Sequence, residues 1–219
     1  MTNPNMSSTA TIETLYTARD LSAADLDNAD WDRVKAIKLT RYWSGELAPA
    51  GRHAEARILW SDDSLSVRFV CRQKEPLFVS SNPQTETKTM GLWERDVCEV
   101  FVAPDPKQPN CYFEFEAAPT GEWVDLAVHV KPVQRETQWD FVSGMTTTAR
   151  IGKDQIILAM RIPWGDRIRK PQRGERWRVN LFRCVGSSQD RGYLAWQPTH
   201  TEQPNFHVPE VFGWLVFDE

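Results

Sequence analysis

The sequence has no long apolar run. Its 219 residues contain no basic start followed by a hydrophobic stretch and no segment of about 20 apolar residues of the kind a spanning helix needs. The expectation is a cytoplasmic protein without a membrane partner, or a secreted one if the given start hides an export signal. A dominant charge sign is lacking too. With 26 Lys and Arg against 30 Asp and Glu, the net charge of -4 gives nucleic acid no electrostatic footing and leaves a neutral partner such as a sugar open. The four cysteines, Cys71, Cys98, Cys111 and Cys184, include no C-x-x-C pair, which argues against a zinc site. Cys71 and Cys98 fall on apolar strand faces and read as buried free thiols. G-x-S-x-G, H-E-x-x-H and P-loop signatures are absent, and with them the chemistries those motifs carry. There is no repeat, no low-complexity tract and no sustained helical period.

What the chain has instead is alternation broken by turns. It is clearest between Leu92 and Val130, where Val97 to Val102, Tyr112 to Ala117 and Trp123 to Val130 alternate apolar with polar residues. Pro104-Asp105-Pro106, Pro109-Asn110 and Pro119-Thr120-Gly121 separate them, and period two with such punctuation predicts consecutive antiparallel strands. Cys98, Val100 and Val102 share an apolar face with Phe113, Phe115, Val124 and Leu126. The opposite face mixes aromatic rings with Glu99, Glu114, Glu116 and Asp125. A second sheet should cover the apolar face. Further strands are predicted at Thr11 to Tyr16, Trp31 to Thr40, Ala54 to Trp60, Leu65 to Gln73, Met145 to Ile151, Gln155 to Ile162, Arg176 to Cys184, Tyr193 to Trp196 and Phe212 to Phe217. Ser22 has the flavour of a short helix start. Lys74 to Gly91 and Val133 to Gly144 read as irregular, the second carrying Trp139. The whole is an all-β, antiparallel two-sheet β-sandwich of the jelly-roll or immunoglobulin-like kind. Residues 1–10 read as a flexible segment and 11–219 as a single domain.

Ten Trp, ten Phe and four Tyr are the distinctive part of the composition. Trp93 and Trp196 each stand where a long stretch meets a strand, so that a ring can be presented at a rim. Flat rings stack on the C–H face of a sugar, and its hydroxyls then need charged or amide partners. Glu94, Arg95, Gln197, Gln203 and Asn205 are close in sequence. The plainer reading makes both Trp packing residues. The carboxylates of the mixed face have three readings: a solvated sheet face paired with Arg68 and Arg72, a binding face, or the acid and base of a glycosidase using Glu99, Glu114 or Glu116. His53, His129, His200 and His207 show no metal-ligand spacing, although Asp62-Asp63 or Asp105 could gather calcium.

Trp93-Glu-Arg-Asp-Val-Cys-Glu-Val-Phe-Val-Ala-Pro104, with Tyr112-Phe-Glu-Phe-Glu-Ala-Ala-Pro-Thr-Gly121, resembles the family 9 carbohydrate-binding modules and their DOMON-like relatives. Asp96, Glu99, Phe101, Tyr112, Pro119 and Gly121 carry the match. Ile162-Pro-Trp164, Trp177 with Asn180, and Asn205-Phe-His-Val-Pro-Glu-Val-Phe-Gly213 extend it, so that it covers roughly Trp31 to Phe217. The resemblance implies a non-catalytic sandwich that binds the end of a glucan or xylan chain between two Trp, in support of carbohydrate catabolism. Carried onto this sequence, the carbohydrate-binding residues are Trp93, Trp196, Glu94, Arg95, Glu99 and Tyr112. Structural calcium occurs in the family, without ligands that can be matched here. DOMON relatives bind haem through Met and His, to which only Met90 beside Trp93 corresponds. A protein-interaction sandwich is the remaining alternative.

Overall fold

Hairpin chemistry builds the first sheet. In the computed structural model, which describes residues 10–187 and 190–218, Ala54–Trp60 (β4) and Ser64–Arg72 (β5) pair antiparallel. Ser61 Oγ accepts from the Asp63 and Ser64 amides, each at 3.1 Å, and closes the turn between them. Gln155–Pro163 (β11) adds to β5, and Thr146–Ile151 (β10) to β11. Ile37–Leu39 (β2) lies along the first half of the other edge of β4. The segment 1–10 read as flexible lies outside the described residues except for Ala10.

The second sheet contains the predicted meander: Val97–Ala103 (β6), Cys111–Ala117 (β7) and Trp123–Val130 (β8). Arg135–Gln138 (β9) extends it beyond β8, inside a stretch whose sequence showed no period. Arg176–Val185 (β12) flanks β6 on the other side. The far edge of β12 is shared by Gly213–Phe217 (β14) and Gly192–Ala195 (β13), and Arg41–Tyr42 (β3) pairs with β13.

Thr11–Tyr16 (β1) joins the two sheets. Thr11 to Thr14 run parallel to Trp214–Phe217, then Leu15 and Tyr16 run parallel to Leu59 and Trp60. At the crossing, Thr14 Oγ1 donates to the Ile58 carbonyl at 2.7 Å. The all-β class holds, but the expectation of purely antiparallel pairing does not. Local turns specify hairpins, whereas this pairing joins the first strand to the last and needs no turn between them. Two shorter expectations also change. Of Trp31 to Thr40, only Ile37–Leu39 is strand. Trp31 sits in a 3-10 turn, Ala29–Arg33, capped by Asn28, its indole buried under the Arg68 guanidinium at 5.2 Å. Ser22 starts no helix, because its amide and hydroxyl both donate to Asp25 and close a turn. Among the described residues no helix is long and apolar enough to cross a membrane.

The main core lies between the sheets. Cys98, Val100 and Val102 of β6 meet Val67, Phe69 and Cys71 of β5 and Leu158 and Met160 of β11, all buried. Burial of each large apolar side chain contributes about 1.5–3 kcal/mol. Cys71 and Cys98 are free thiols as expected, with their sulfurs 3.4 Å apart.

The mixed face is not solvated. Glu99, Glu114 and Glu116 are all buried. The predicted faces of β8 are reversed: Val124 and Leu126 stand opposite Glu116 and Glu114 on this face, whereas Asp125 stands opposite Phe115 and is buried on the inter-sheet side. Alternation within β8 fixes which residues share a face, but the register across the turn at Pro119-Thr120-Gly121 decides which face meets the core. Arg68 and Arg72 belong to the other sheet, and Arg68 donates to the Leu26 carbonyl instead. A second apolar cluster covers this face: Leu92, Phe101, Tyr112, Phe182, Phe206 and Phe212. Alternation assigns a residue to a face of the sheet but says nothing about the loops that later fold across it.

Candidate functional site

The cover over the mixed face is incomplete. It leaves a cavity of about 480 Å³ whose floor is formed by Glu99 (β6), Glu114 (β7), Leu126 (β8) and Cys184 (β12). That size falls within the roughly 300–1,000 Å³ of small-molecule sites. Trp93 and Glu94 form one wall, and Arg135, Thr137 and Trp139 another. Tyr193, Asn205, Phe206 and His207 complete the rim, with Arg191 beside Trp93.

Local geometry explains how Trp93 reaches the cavity. Gly91 takes φ +75°, a left-handed conformation open to glycine, and starts the 3-10 turn Leu92–Glu94. Leu92 is wholly buried and anchors the turn, which leaves the next side chain half-exposed. Arg191 clamps the turn from behind, its Nη2 donating to the Trp93 and Arg95 carbonyls at 2.6 Å each. Asp96 fixes the turn's exit by accepting from the Gly186 amide at 2.7 Å and the Phe78 amide at 3.2 Å. Opposite, Phe206 stacks on Phe182 at 4.0 Å between centroids and carries His207 into place over Tyr112.

The Trp93 and Trp139 rings lie 6.2 Å apart, inclined at 36°. Other tryptophans are spent on the fold. Trp60, Trp164 and Trp177 pack edge-on around Phe217, and Trp214 lies against the guanidinium groups of Arg176 and Arg178. Of the six residues carried over by resemblance, the structure brings Trp93, Glu94 and Glu99 together. Arg95 turns to Glu122 at 3.2 Å. Tyr112 is buried, its hydroxyl 2.6 Å from His207 Nδ1. Trp196 packs on Gly213, where an added Cβ would lie 2.3 Å from the indole, and it borders a different cleft with Thr11 and Val34. Sequence reasoning missed Trp139; its only signal was a large ring in an irregular stretch.

The floor has unusual electrostatics. Glu99 and Glu116 face each other across β6 and β7, with Glu114 two residues from Glu116 on the same face. One carboxylate oxygen from each of the three falls within 4.8 Å of the others. Glu99 Oε1 accepts from the Cys184 thiol at 3.3 Å. Glu114 Oε2 and both oxygens of Glu116 are buried without a hydrogen-bond partner among the described residues. Burial pushes Glu99 up to about 8, helped by the charge of Glu114 and opposed by the Cys184 hydrogen bond. Burial also raises Glu114, and it raises Glu116 strongly, with the charges of Glu99 and Glu114 adding to the latter. His207 is pushed down to about 3 by burial and by nearby Arg135, and is neutral at pH 7.

These shifts have a stability consequence. In the unfolded chain a glutamate releases its proton near 4.5, whereas Glu99 in the fold holds it to about 8. Between those values the folded state binds more protons, so stability falls as pH rises. Tm should therefore drop between about pH 5 and pH 8, and Glu116→Gln should flatten the slope. A Tm that rises across this window in thermal melts would contradict it.

Of the positions suggested for calcium, Asp62 pairs with Lys170 at 2.6 Å, and Asp105 accepts from the Lys107 amide and the Gln108 amide group of its own turn. Among the described residues neither joins a group of three or more carboxylate, thiol or imidazole ligands. Met90 is half-exposed in the preceding loop, and His207 is engaged by Tyr112.

Residues 24–219 match the family model described as carbohydrate family 9 binding domain-like. The chain belongs to this family. Solved structures share the family 9 fold. A protein from Bacteroides uniformis is 19% identical, with a TM-score of 0.76 over 96% of this chain and 100% of its own. A family 9 carbohydrate binding module from Caldicellulosiruptor kristjanssonii in complex with cellotriose is 14% identical, with a TM-score of 0.67 over 95% of this chain and 94% of its own. A curated relative from Arthroderma benhamiae, named "Extracellular protein", is 24% identical over 177 residues, 74% of this chain and 77% of the relative. At these identities, likeness to the solved structures bears on the fold alone.

Proposed function

We propose that this family 9 domain binds carbohydrate without catalysis, taking the end of a β-1,4-linked glucan or xylan chain, in support of carbohydrate catabolism. The observation that carries this is the convergence of Trp93 and Trp139 on one cavity whose remaining lining sets polar groups such as Glu94, Glu99 and Asn205 among Leu126, Tyr193 and Phe206. The rings offer flat apolar surface to sugar C–H groups. Glu94, Glu99 and Asn205 stand beside them for the hydroxyls. The cellotriose complex of the structural neighbour favours the same ligand class.

The glycosidase reading fares less well. Its two carboxyl groups would flank a bond, at about 5–5.5 Å or 6.5–9.5 Å apart. Here Glu99 and Glu114 of the floor form one cluster with Glu116, which does not line the cavity, a carboxylate oxygen of each within 4.8 Å of the others. Titration of tryptophan fluorescence with cellotriose, cellobiose, xylobiose and glucose tests the proposal. A saturable shift is expected, with dissociation constants around the millimolar range for a half-open site. No shift at tens of millimolar of any of these sugars, roughly tenfold above such a constant, would defeat it.

A further inference from the structure

The floor of the cavity gathers more carboxyl groups than a neutral sugar can use. Glu114 Oε2 and Glu116 Oε1 and Oε2 are three acceptor atoms, buried and without a donor among the described residues. An unmet buried acceptor is costly, and three carboxyls in one buried site repel one another as soon as they ionise. Two cations line the cavity: Arg191 is committed to the carbonyls of Gly186, Trp93 and Arg95, and Arg135 stands exposed on β9 at the rim, where its charge reaches Glu114 and His207. Directly above, the same cavity is lined by Trp93, Trp139, Tyr193 and Phe206. Aromatic walls around an acidic base are a setting that attracts organic cations.

We infer that the cavity selects an amino sugar, a β-1,4-linked 2-amino-2-deoxyglucose unit whose ammonium group points to Glu99 and Glu114 while its ring lies against Trp93 and Trp139. This rests on the sugar-binding reading above and names its ligand class. An ammonium has three N–H donors and no acceptor, which suits a base made only of acceptors. Glu99 and Glu114 line the cavity and meet it directly. Glu116 lies behind them, its carboxylate within 4.8 Å of both, and contributes charge. A bare calcium ion suits the site less. It takes 6–8 oxygen ligands, and here Cys184 already donates to Glu99 and the surrounding wall is aromatic. The protons that the buried carboxyls hold in the free protein leave as the ammonium enters, so binding releases protons.

Isothermal calorimetry on the full chain tests this, comparing cellobiose, the β-1,4-linked glucosamine disaccharide and its di-N-acetyl form at about pH 6, where a sugar amine of ordinary basicity is charged. The glucosamine disaccharide is expected to bind about tenfold or more tightly than cellobiose. Its enthalpy should vary with the ionisation heat of the buffer, as proton release requires. The acetylated form should show no preference over cellobiose. Glu116→Gln should abolish the preference and leave cellobiose affinity within about twofold. If cellobiose binds and the amine binds no better, the amino-sugar inference falls and the sugar-binding reading stands. If none of the three binds, both fall. Micromolar binding of Ca²⁺ or Mn²⁺, lost in Glu116→Gln, with no amine preference, would overturn the inference in favour of a metal site.

Discussion

Trp93→Ala is expected to weaken cellotriose binding by about 30-fold or more, the equivalent of about 2 kcal/mol for a central aromatic anchor. The turn that carries the indole is held by other groups. Leu92 is buried beneath it, Arg191 clamps its carbonyls, and Asp96 secures its exit. The fold should therefore survive, with stability reduced by about 1 kcal/mol from the lost packing against the second cluster. Trp139→Ala should weaken binding less, because that ring is 48% exposed and sits at the rim. Calorimetric titration of folded variants measures both. Unchanged affinity in Trp93→Ala, with the circular dichroism of the parent protein retained, would remove this residue from the site.

The second large effect falls on stability and reaches the site indirectly. Asp125 is wholly buried and forms an ion pair with Lys88 at 2.8 Å. Lys88 also donates to the Asp125 carbonyl at 2.6 Å, to the Trp139 carbonyl at 3.2 Å, and closely to the Phe141 carbonyl. Asp125 Oδ2 accepts from the Ser143 amide at 2.6 Å. One lysine thus ties the loop before Trp93 to β8 and to the stretch that carries Trp139. Lys88→Met keeps most of the stem but leaves a buried carboxylate without its counter-charge. Breaking such a pair from one side costs about 3–5 kcal/mol. Urea unfolding should show a loss of unfolding free energy of that size, read as a lowered midpoint at unchanged m-value, and cellotriose affinity should fall as Trp139 loses its support. The double variant Lys88→Met/Asp125→Asn should recover part of the loss, because no buried charge is then stranded. A single variant with the parent's midpoint would show that the pair contributes nothing net.

Much of the fold was legible locally. The hairpin β4–β5 and the meander β6–β7–β8 followed from alternation and from Asp, Pro and Gly turns, since side-chain period and turn geometry are properties of a few neighbouring residues. The apolar face of the meander, with Cys98, Val100 and Val102, did become the core between the sheets. The strand β9 was not legible, because Arg135, Glu136, Thr137 and Gln138 form a polar edge strand with no buried face to leave a pattern.

For the site, Trp93, Glu94 and Glu99 were within reach because they lie in one short motif. Trp139 and Asn205 were not paired with Trp93, being far from it in the chain. Trp196 had the same local credentials as Trp93, a ring where an irregular stretch meets a strand. What separates them is a neighbour in space, since Gly213 leaves the room that the Trp196 indole fills.

By itself, then, the sequence determined which residues alternate, where the chain turns, and that Glu99, Glu114 and Glu116 would share a face with aromatic rings. Only the tertiary structure decided that this face is closed over, that β1 runs parallel to both β14 and β4, and that two tryptophans 46 residues apart in number meet over a carboxyl cluster. The physical reason is range. Pattern and turn chemistry act over a few residues, whereas burial, desolvation of a carboxyl and the meeting of two rings depend on which distant segments the fold lays across the sheet.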